Sequence, residues 1–186
     1  MSKHIDYEIN RELGECYLFM GEFDKAAEYY NKAIDCETSH SDPYMGLAAI
    51  SIQKGDLDSA RASYQAAVDL AAGDKALAGL GLVEMEQGEQ DSAFGHFNEA
   101  LKLNPSNMIA MNAMLQLAYK LEKVEHLLPH LEASLEEEDS DTVRFTLAGC
   151  LSYLGRNDEA KTHLEILLGK DPTNTNAQEL YAHIAA

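Results

Sequence analysis

Three histidines, His96, His130 and His163, follow one another at intervals of 34 and 33 residues. Such a spacing brings them to one phase of a repeating unit. Neighbouring helices pack about 8–10 Å apart, so two such imidazoles could share a metal ion or titrate as a row. His126 precedes His130 by one helical turn, which suits two ligands on one face. No other residues complete a coordination shell, and the same phase, held earlier by Tyr29 and Ser63, borders an apolar stripe. Partly buried packing is therefore the expectation for these histidines, and no metal site is assigned. Cys16, Cys36 and Cys150 are odd in number and lack a CxxC spacing, which suggests neither a disulfide framework nor a zinc site. The chain shows no nucleophile spaced to a base, no glycine-rich phosphate loop and no pair of carboxylates in contrasting environments. No catalytic residue and no cofactor is assigned, and the protein is not expected to be an enzyme.

The elements that must position these groups are helices. Of 186 residues 46% are hydrophobic, prolines number only 4, and no stretch alternates apolar and polar residues with β-branched enrichment. The 14 basic residues face 32 acidic ones, a formal net charge of -18. That balance opposes phosphate backbones and anionic membranes, so neither nucleic acid nor a membrane is an expected partner, and it steers basic or amphipathic protein segments inward. The stretch from Met1 to Tyr7 lacks the apolar core of a signal peptide, and no apolar run of about 18 residues follows. A cytoplasmic location is expected.

The chain repeats itself. The first copy reads Leu13, Gly14, Tyr17, Gly21, Phe23, Ala26, Tyr30, Ala33, Ile34, and the second reads Tyr44, Leu47, Ala48, Gly55, Leu57, Ala60, Tyr64, Ala67, Val68. Gly21, Gly55, Gly88 and Gly155 are separated by 34, 33 and 67 residues, and the last interval demands one more copy between Gly88 and Gly155. In that copy Met111, Met114, Leu115, Ala118, Leu127, Leu131 and Leu135 keep the apolar phase, but Glu122 stands in place of the turn glycine and Pro129 falls in the second helix, which it should kink or shorten. The expected repeats are 7–40, 41–73, 74–107, 108–140 and 141–173, and the stripe Ala177, Leu180, Tyr181, Ile184 makes 174–186 a capping helix, the whole of 1–186 being one array.

Each copy makes sense as two helices around a tight turn. Small residues at the eighth position (Gly14, Ala48, Gly81) face alanine at the twentieth (Ala26, Ala60, Ala93), where the helices approach. The turn glycine ends the first helix in the left-handed conformation. Asp42 before Pro43, Asp56, Asp74 and Asn157 are the expected caps. A bulky residue at position 24 (Tyr30, Tyr64, Phe97, Leu131, Leu164) can be buried only by the next copy, so stacking is obligatory. Cys16 and Cys150 share position 10 with Ile50, Val83 and Leu117 and are expected in the core, with Cys36 exposed. The acidic run Glu136 to Asp141 reads as a solvated link between copies.

On these residues the chain resembles the tetratricopeptide repeat (TPR) family. The resemblance implies an all-α, right-handed α-solenoid of five helix–turn–helix repeats, with the first helices lining a concave groove. Its groove positions 2, 5, 6, 9, 12 and 13 fall here on Arg11, Glu15, Leu18, Phe19, Met45, Ala49, Ile52, Lys75, Leu82, Met85, Asn112, Gln116, Tyr119, Phe145 and Tyr153, among others. Gly46, Ala49, Ala78, Gly79, Ala113 and Gly149 would form an open floor between apolar walls. Glu8, Glu12, Glu15, Asp42 and Glu86 make the first half acidic. Family members that grip an acidic chaperone carboxyl terminus use a Lys/Asn pair, then Asn, then a Lys/Arg pair; the matching positions here are Arg11 and Glu15, then Gly46, then Lys75 and Gly79, and only Lys75 fits. The expected role is an adaptor or scaffold that binds a basic, amphipathic segment of another protein. The alternatives are self-assembly as a homo-oligomer through the groove or the last helix, and service as a chaperone or specificity subunit for a secreted or enzymatic client.

Overall fold

A computed structural model describes residues 3–36, 39–70 and 73–185. Among the described residues there are eleven α-helices and no strand: α1 Lys3–Phe19, α2 Phe23–Cys36, α3 Asp42–Gln53, α4 Leu57–Leu70, α5 Asp74–Glu86, α6 Gln90–Leu103, α7 Met108–Lys120, α8 Leu128–Glu137, α9 Asp141–Tyr153, α10 Asn157–Lys170 and α11 Thr175–Ala185. The chain forms two compact units, residues 1–100 and 101–186.

In the first unit α1 packs on α2 and α3 on α4, while α2 meets α3 and α4 meets α5. Each pair turns on a glycine whose φ is positive: Gly21 and Gly55 at 75° and Gly88 at 83°. The residue after each glycine donates its amide back across the turn, Glu22 to Tyr17 O at 2.9 Å, Asp56 to Ser51 O at 2.9 Å and Glu89 to Glu84 O at 2.8 Å. These bonds satisfy carbonyls that the ending helix would leave open.

The ring of Tyr30 shows why the pairs must stack. A Cβ added to Gly14, in its own pair, would lie 2.7 Å from Tyr30 Cδ1, and one added to Gly46, in the next, would lie 2.3 Å from Tyr30 Cζ. The ring thus fills a slot floored by two glycines. Tyr64 occupies the same place against Gly79, where an added Cβ would come 2.4 Å from Tyr64 Cε1. This corrects the expected open floor: Gly46, Ala78, Gly79 and Ala113 are buried while Ala49 and Gly149 are half-buried, and at Gly46 and Gly79 the ring of the preceding second helix fills the space that the glycine leaves.

In the second unit α9 packs on α10, α8 meets α9 and α10 meets α11. Gly155 turns the α9–α10 pair with φ 75°. At the irregular copy Glu122 takes the left-handed conformation itself, φ 56°, and Lys123 N still closes the turn on Ala118 O at 2.8 Å. Pro129 lies in the first turn of α8, preceded by a 3-10 turn, Val124–Leu127. The proline shortens the helix rather than kinking its interior, since a residue in the first turn has no helical acceptor for the amide that proline lacks.

Of the expected caps, Asp56 accepts from Ser59 N at 3.0 Å. Asp42, Asp74 and Asn157 fall one residue inside their helices instead. Asn107, Ser140 and Asn174 cap α7, α9 and α11.

Candidate peptide-binding faces

Counting motif positions from Tyr7, Ser41, Asp74, Met108 and Asp141, the groove residues separate into one set per unit. In the first unit Arg11 is paired within its own helix. Its guanidinium donates to Glu15 Oε1 at 2.6 Å and Glu8 Oε2 at 2.9 Å, with Glu12 Oε1 at 3.7 Å. The hydrogen bond from Arg11 holds the Glu8 carboxyl below the usual carboxylate range. Three carboxylates around one guanidinium leave this stretch of α1 net negative.

Further along, Ile52, Leu57, Leu82 and Val83 line an apolar depression of about 210 Å³ with Glu86 on its rim. The depression has room for a single branched or aromatic side chain. Phe19 is 95% exposed and Ile52 40%; Met45, Ala49, Leu82 and Met85 are half-buried and Lys75 is exposed. Leu18 instead packs with Tyr17 and Phe23 against the cluster of Ala26, Tyr30 and Ile50, which makes it more core than groove. Leu57 was not among the groove positions because it starts a second helix, and only the turn at Gly55 brings it beside Ile52.

In the second unit Tyr119 and Tyr153 meet edge to face, ring centroids 4.9 Å apart at 84°. Both remain open, Tyr119 at 39% and Tyr153 at 56%. The Tyr119 hydroxyl donates to Cys150 Sγ at 3.8 Å, and burial pushes the Tyr119 phenol up to about 12. It therefore remains a neutral donor at any physiological pH. Asn112 and Gln116 are exposed two turns and one turn before Tyr119 on α7, and Ile109 is 60% exposed at the start of the same helix. Phe145 is half-buried on α9. Exposed amides beside aromatic edges offer donors and acceptors to a peptide backbone and flat surfaces to its side chains.

The histidines do not converge. His96 Nδ1 lies 2.6 Å from Glu84 Oε2, His130 is buried, and His163 lies 3.4 Å from Arg144 Nη1, with burial lowering its pKa. Among the described residues no group of three or more His, Cys, Asp or Glu side chains is placed to hold a metal ion. Cys150 is buried as expected, but Cys16 is exposed and Cys36 only half-buried. Position 10 is interior only where a preceding second helix covers it, and α1 has no such cover among the described residues. No described helix is long and apolar enough to cross a membrane.

Comparison with known proteins agrees with this architecture. Tetratricopeptide repeat models match residues 7–40 and 45–108, together more than half of the chain. BBSome complex member BBS4 of Bos taurus is 34% identical over 115 residues, 60% of this chain and 22% of its own length. Anaphase-promoting complex subunit 3 of Schizosaccharomyces pombe is 24% identical over 92% of this chain and 26% of its own length. The chain thus spans about a quarter of the length of these curated relatives. Among solved structures, Pseudomonas aeruginosa pilF superposes with TM-score 0.67 at 18% identity, covering 100% of this chain and 85% of the other. YrrB, a TPR protein with an unusual peptide-binding site, gives TM-score 0.64 at 16% identity over 91% and 89%. The first TPR of Spaghetti (RPAP3), solved bound to the HSP90 peptide SRMEEVD, gives 0.59 at 21% identity over 63% and 94%. The fold is an all-α, α-solenoid type built of helix–turn–helix repeats, and the chain belongs to the tetratricopeptide repeat family.

Proposed function

We propose that this protein is a non-enzymatic binding module whose first helices hold a basic, amphipathic segment of another protein. The observation that carries the reading is the placement of exposed apolar side chains. Phe19, Ile52, Ile109, Tyr119 and Tyr153 all fall on first-helix positions 2, 12 or 13, and each is between 39% and 95% exposed. Side chains of this kind, repeated at positions that the fold does not bury, favour protein contact over plain solvation.

Charge selects the ligand. Glu8, Glu12 and Glu15 surround the lone Arg11, and Glu86 rims the apolar depression. A Lys or Arg beside a leucine or phenylalanine would place its charge at Glu86 while the apolar side chain enters the depression. An acidic peptide such as the one held by the RPAP3 repeat is disfavoured, because the guanidinium that would meet its carboxylates is already engaged. Both curated relatives are named as members of multi-subunit complexes, in keeping with a role in protein contact.

Quantitative co-purification would name the client. Tyr119→Ala, Tyr153→Ala and Ile52→Ala should then each weaken its binding about tenfold, as expected for apolar anchors, and raising the salt concentration should weaken it further. Unchanged binding in all three variants overturns the reading.

A further inference from the structure

Ser134, in the last turn of α8, is only 3% exposed. Its carbonyl accepts from Glu138 N at 3.0 Å, but its hydroxyl has no hydrogen-bond partner among the described residues. Buried hydroxyls are rarely left so, because a hydrogen bond unmade away from water is costly. Within the second unit Ser134 lines a cavity of about 260 Å³ together with Ser106, Met108, Glu138, Ser140, Thr142 and Val143. A cavity of this size is smaller than the sites of drug-sized ligands and suits one side chain.

The lining decides which side chain. Glu138 is its one charged member. The neighbouring acids are engaged: Asp139 pairs with Arg144 and Lys170, Asp141 pairs with Lys170, and Glu137 accepts from the Ser106 hydroxyl at 2.6 Å. Glu138 makes no ion pair among the described residues. The carboxyl end of α8 and the amino end of α9 both meet the cavity, and their partial charges are opposite and offset one another. The formal charge of Glu138 therefore selects a cation. Thr142 lends only its carbonyl within the fold, to Thr146 Oγ1 at 2.9 Å, so its hydroxyl, like that of Ser134, can accept from a ligand. An ammonium rotates three donors toward separate acceptors, whereas a guanidinium presents a planar fork matched to a single carboxylate. One carboxylate with two hydroxyls is the first arrangement. Met108, 42% exposed, and the buried Val143 give an alkyl stem an apolar wall.

We propose that this cavity binds the side chain of a lysine in a partner protein, its ammonium held by Glu138, Ser134 and Thr142 and its stem by Met108 and Val143. The cavity adjoins the first-helix face, since Met108 precedes Ile109 on α7 and Thr142 holds on α9 the motif position that Ile109 holds on α7. A chain lying across that face can extend a lysine into the cavity. Acetylation of that lysine removes the charge that Glu138 selects and one of the three donors. The inference rests on reading the protein as a binding module, but it uses none of the side chains that carry that reading.

The probe is Nα-acetyl-lysine N-methylamide, titrated into the full isotope-labelled chain at about 0.15 M salt and followed by amide chemical shifts. The shifts of Ser134, Thr142 and Val143 should move and saturate together. The ε-acetylated probe and its norleucine analogue should bind at least about tenfold more weakly, and the arginine analogue at least about threefold. Glu138→Gln should weaken the lysine probe about tenfold. Ser134→Ala should weaken it about threefold and leave the melting temperature unchanged or higher, because the hydroxyl it removes bonds nothing in the fold. Tyr119→Ala and Tyr153→Ala should leave the titration unchanged although they weaken the client, so the two readings fail separately. Equal binding of the norleucine, ε-acetyl or arginine analogue overturns the proposal, as does full binding by Glu138→Gln. A lowered melting temperature in Ser134→Ala overturns it too, because the hydroxyl is then engaged within the fold. So does tighter binding of n-butylamine than of the lysine probe, which assigns the cavity to a small free amine.

Discussion

Glu84 Oε2 lies 2.6 Å from His96 Nδ1, joining the first and second helices of one repeat through a carboxylate whose side chain is only 3% exposed. The same two motif positions in the first repeat hold Tyr17 and Tyr29, which stack with ring centroids 5.3 Å apart. One geometric slot therefore takes either an aromatic pair or a hydrogen-bonded carboxylate–imidazole pair. Glu84 has a second partner in Arg61 Nη2 at 3.2 Å, and Arg61 in turn donates to both oxygens of Glu89 at 2.7 Å.

Glu84→Ala removes the acceptor that His96 and Arg61 share and leaves a gap between the helices. Both donors retain some access to water, so the loss should fall near the low end for a broken buried pair, about 2–3 kcal/mol. Urea unfolding of the wild type and variant measures it. Arg61→Ala should cost less, because Glu84 keeps His96.

Glycine-to-alanine substitutions should change sign with location. Gly46→Ala drives a methyl into the Tyr30 ring, which two glycines hold from both sides, and should destabilise by about 1–3 kcal/mol. Gly95 lies within α6 with nothing inside 4 Å of an added Cβ. Gly95→Ala should stabilise by about 0.5–1 kcal/mol through helix propensity. Thermal melts of the two variants provide the check, and equal shifts would contradict the clamp.

Glu122 adopts φ 56° where the other four turns have glycine. Glu122→Gly relieves the contact between its Cβ and backbone and should raise stability by roughly 0.5–1 kcal/mol. Gly55→Ala, at φ 75°, should lower it by a similar amount. Chemical denaturation midpoints decide both.

Asp139 accepts from Lys170 Nζ at 2.8 Å and Arg144 Nη2 at 2.6 Å, and these bonds lower its pKa to about 2. A carboxyl depressed on folding contributes fully above its unfolded pKa, about 3.9, and loses that contribution as the pH falls toward 2. Asp139→Asn should therefore be less stable than wild type at pH 7, and the difference should shrink through the window from about 4 to 2. Melting temperatures across that range test it. A difference independent of pH would mean that the Asp139 charge contributes nothing.

The helix–turn–helix pairs and the place of their turns were legible in the sequence because they depend on local rules. A glycine every 33 or 34 residues marks a chain reversal, and the 3.6-residue period of apolar side chains marks the face to be buried. Even the substitution of Glu122 for a turn glycine was readable, since the interval between repeats required a turn there. What tertiary structure decided is which surfaces remain open. Cys16 and Cys150 hold the same motif position, yet one is exposed and the other buried, because burial at that position is conferred by a neighbouring helix and not by the residue. By sequence Gly46 and Gly79 leave an open floor, but the rings of Tyr30 and Tyr64 fill it. The sequence places Arg11 on the groove side of α1, and the packed structure adds that its guanidinium pairs with three glutamates. Periodicity names the buried stripe of a helix; only the packed neighbours settle what covers it and which charges are already paired.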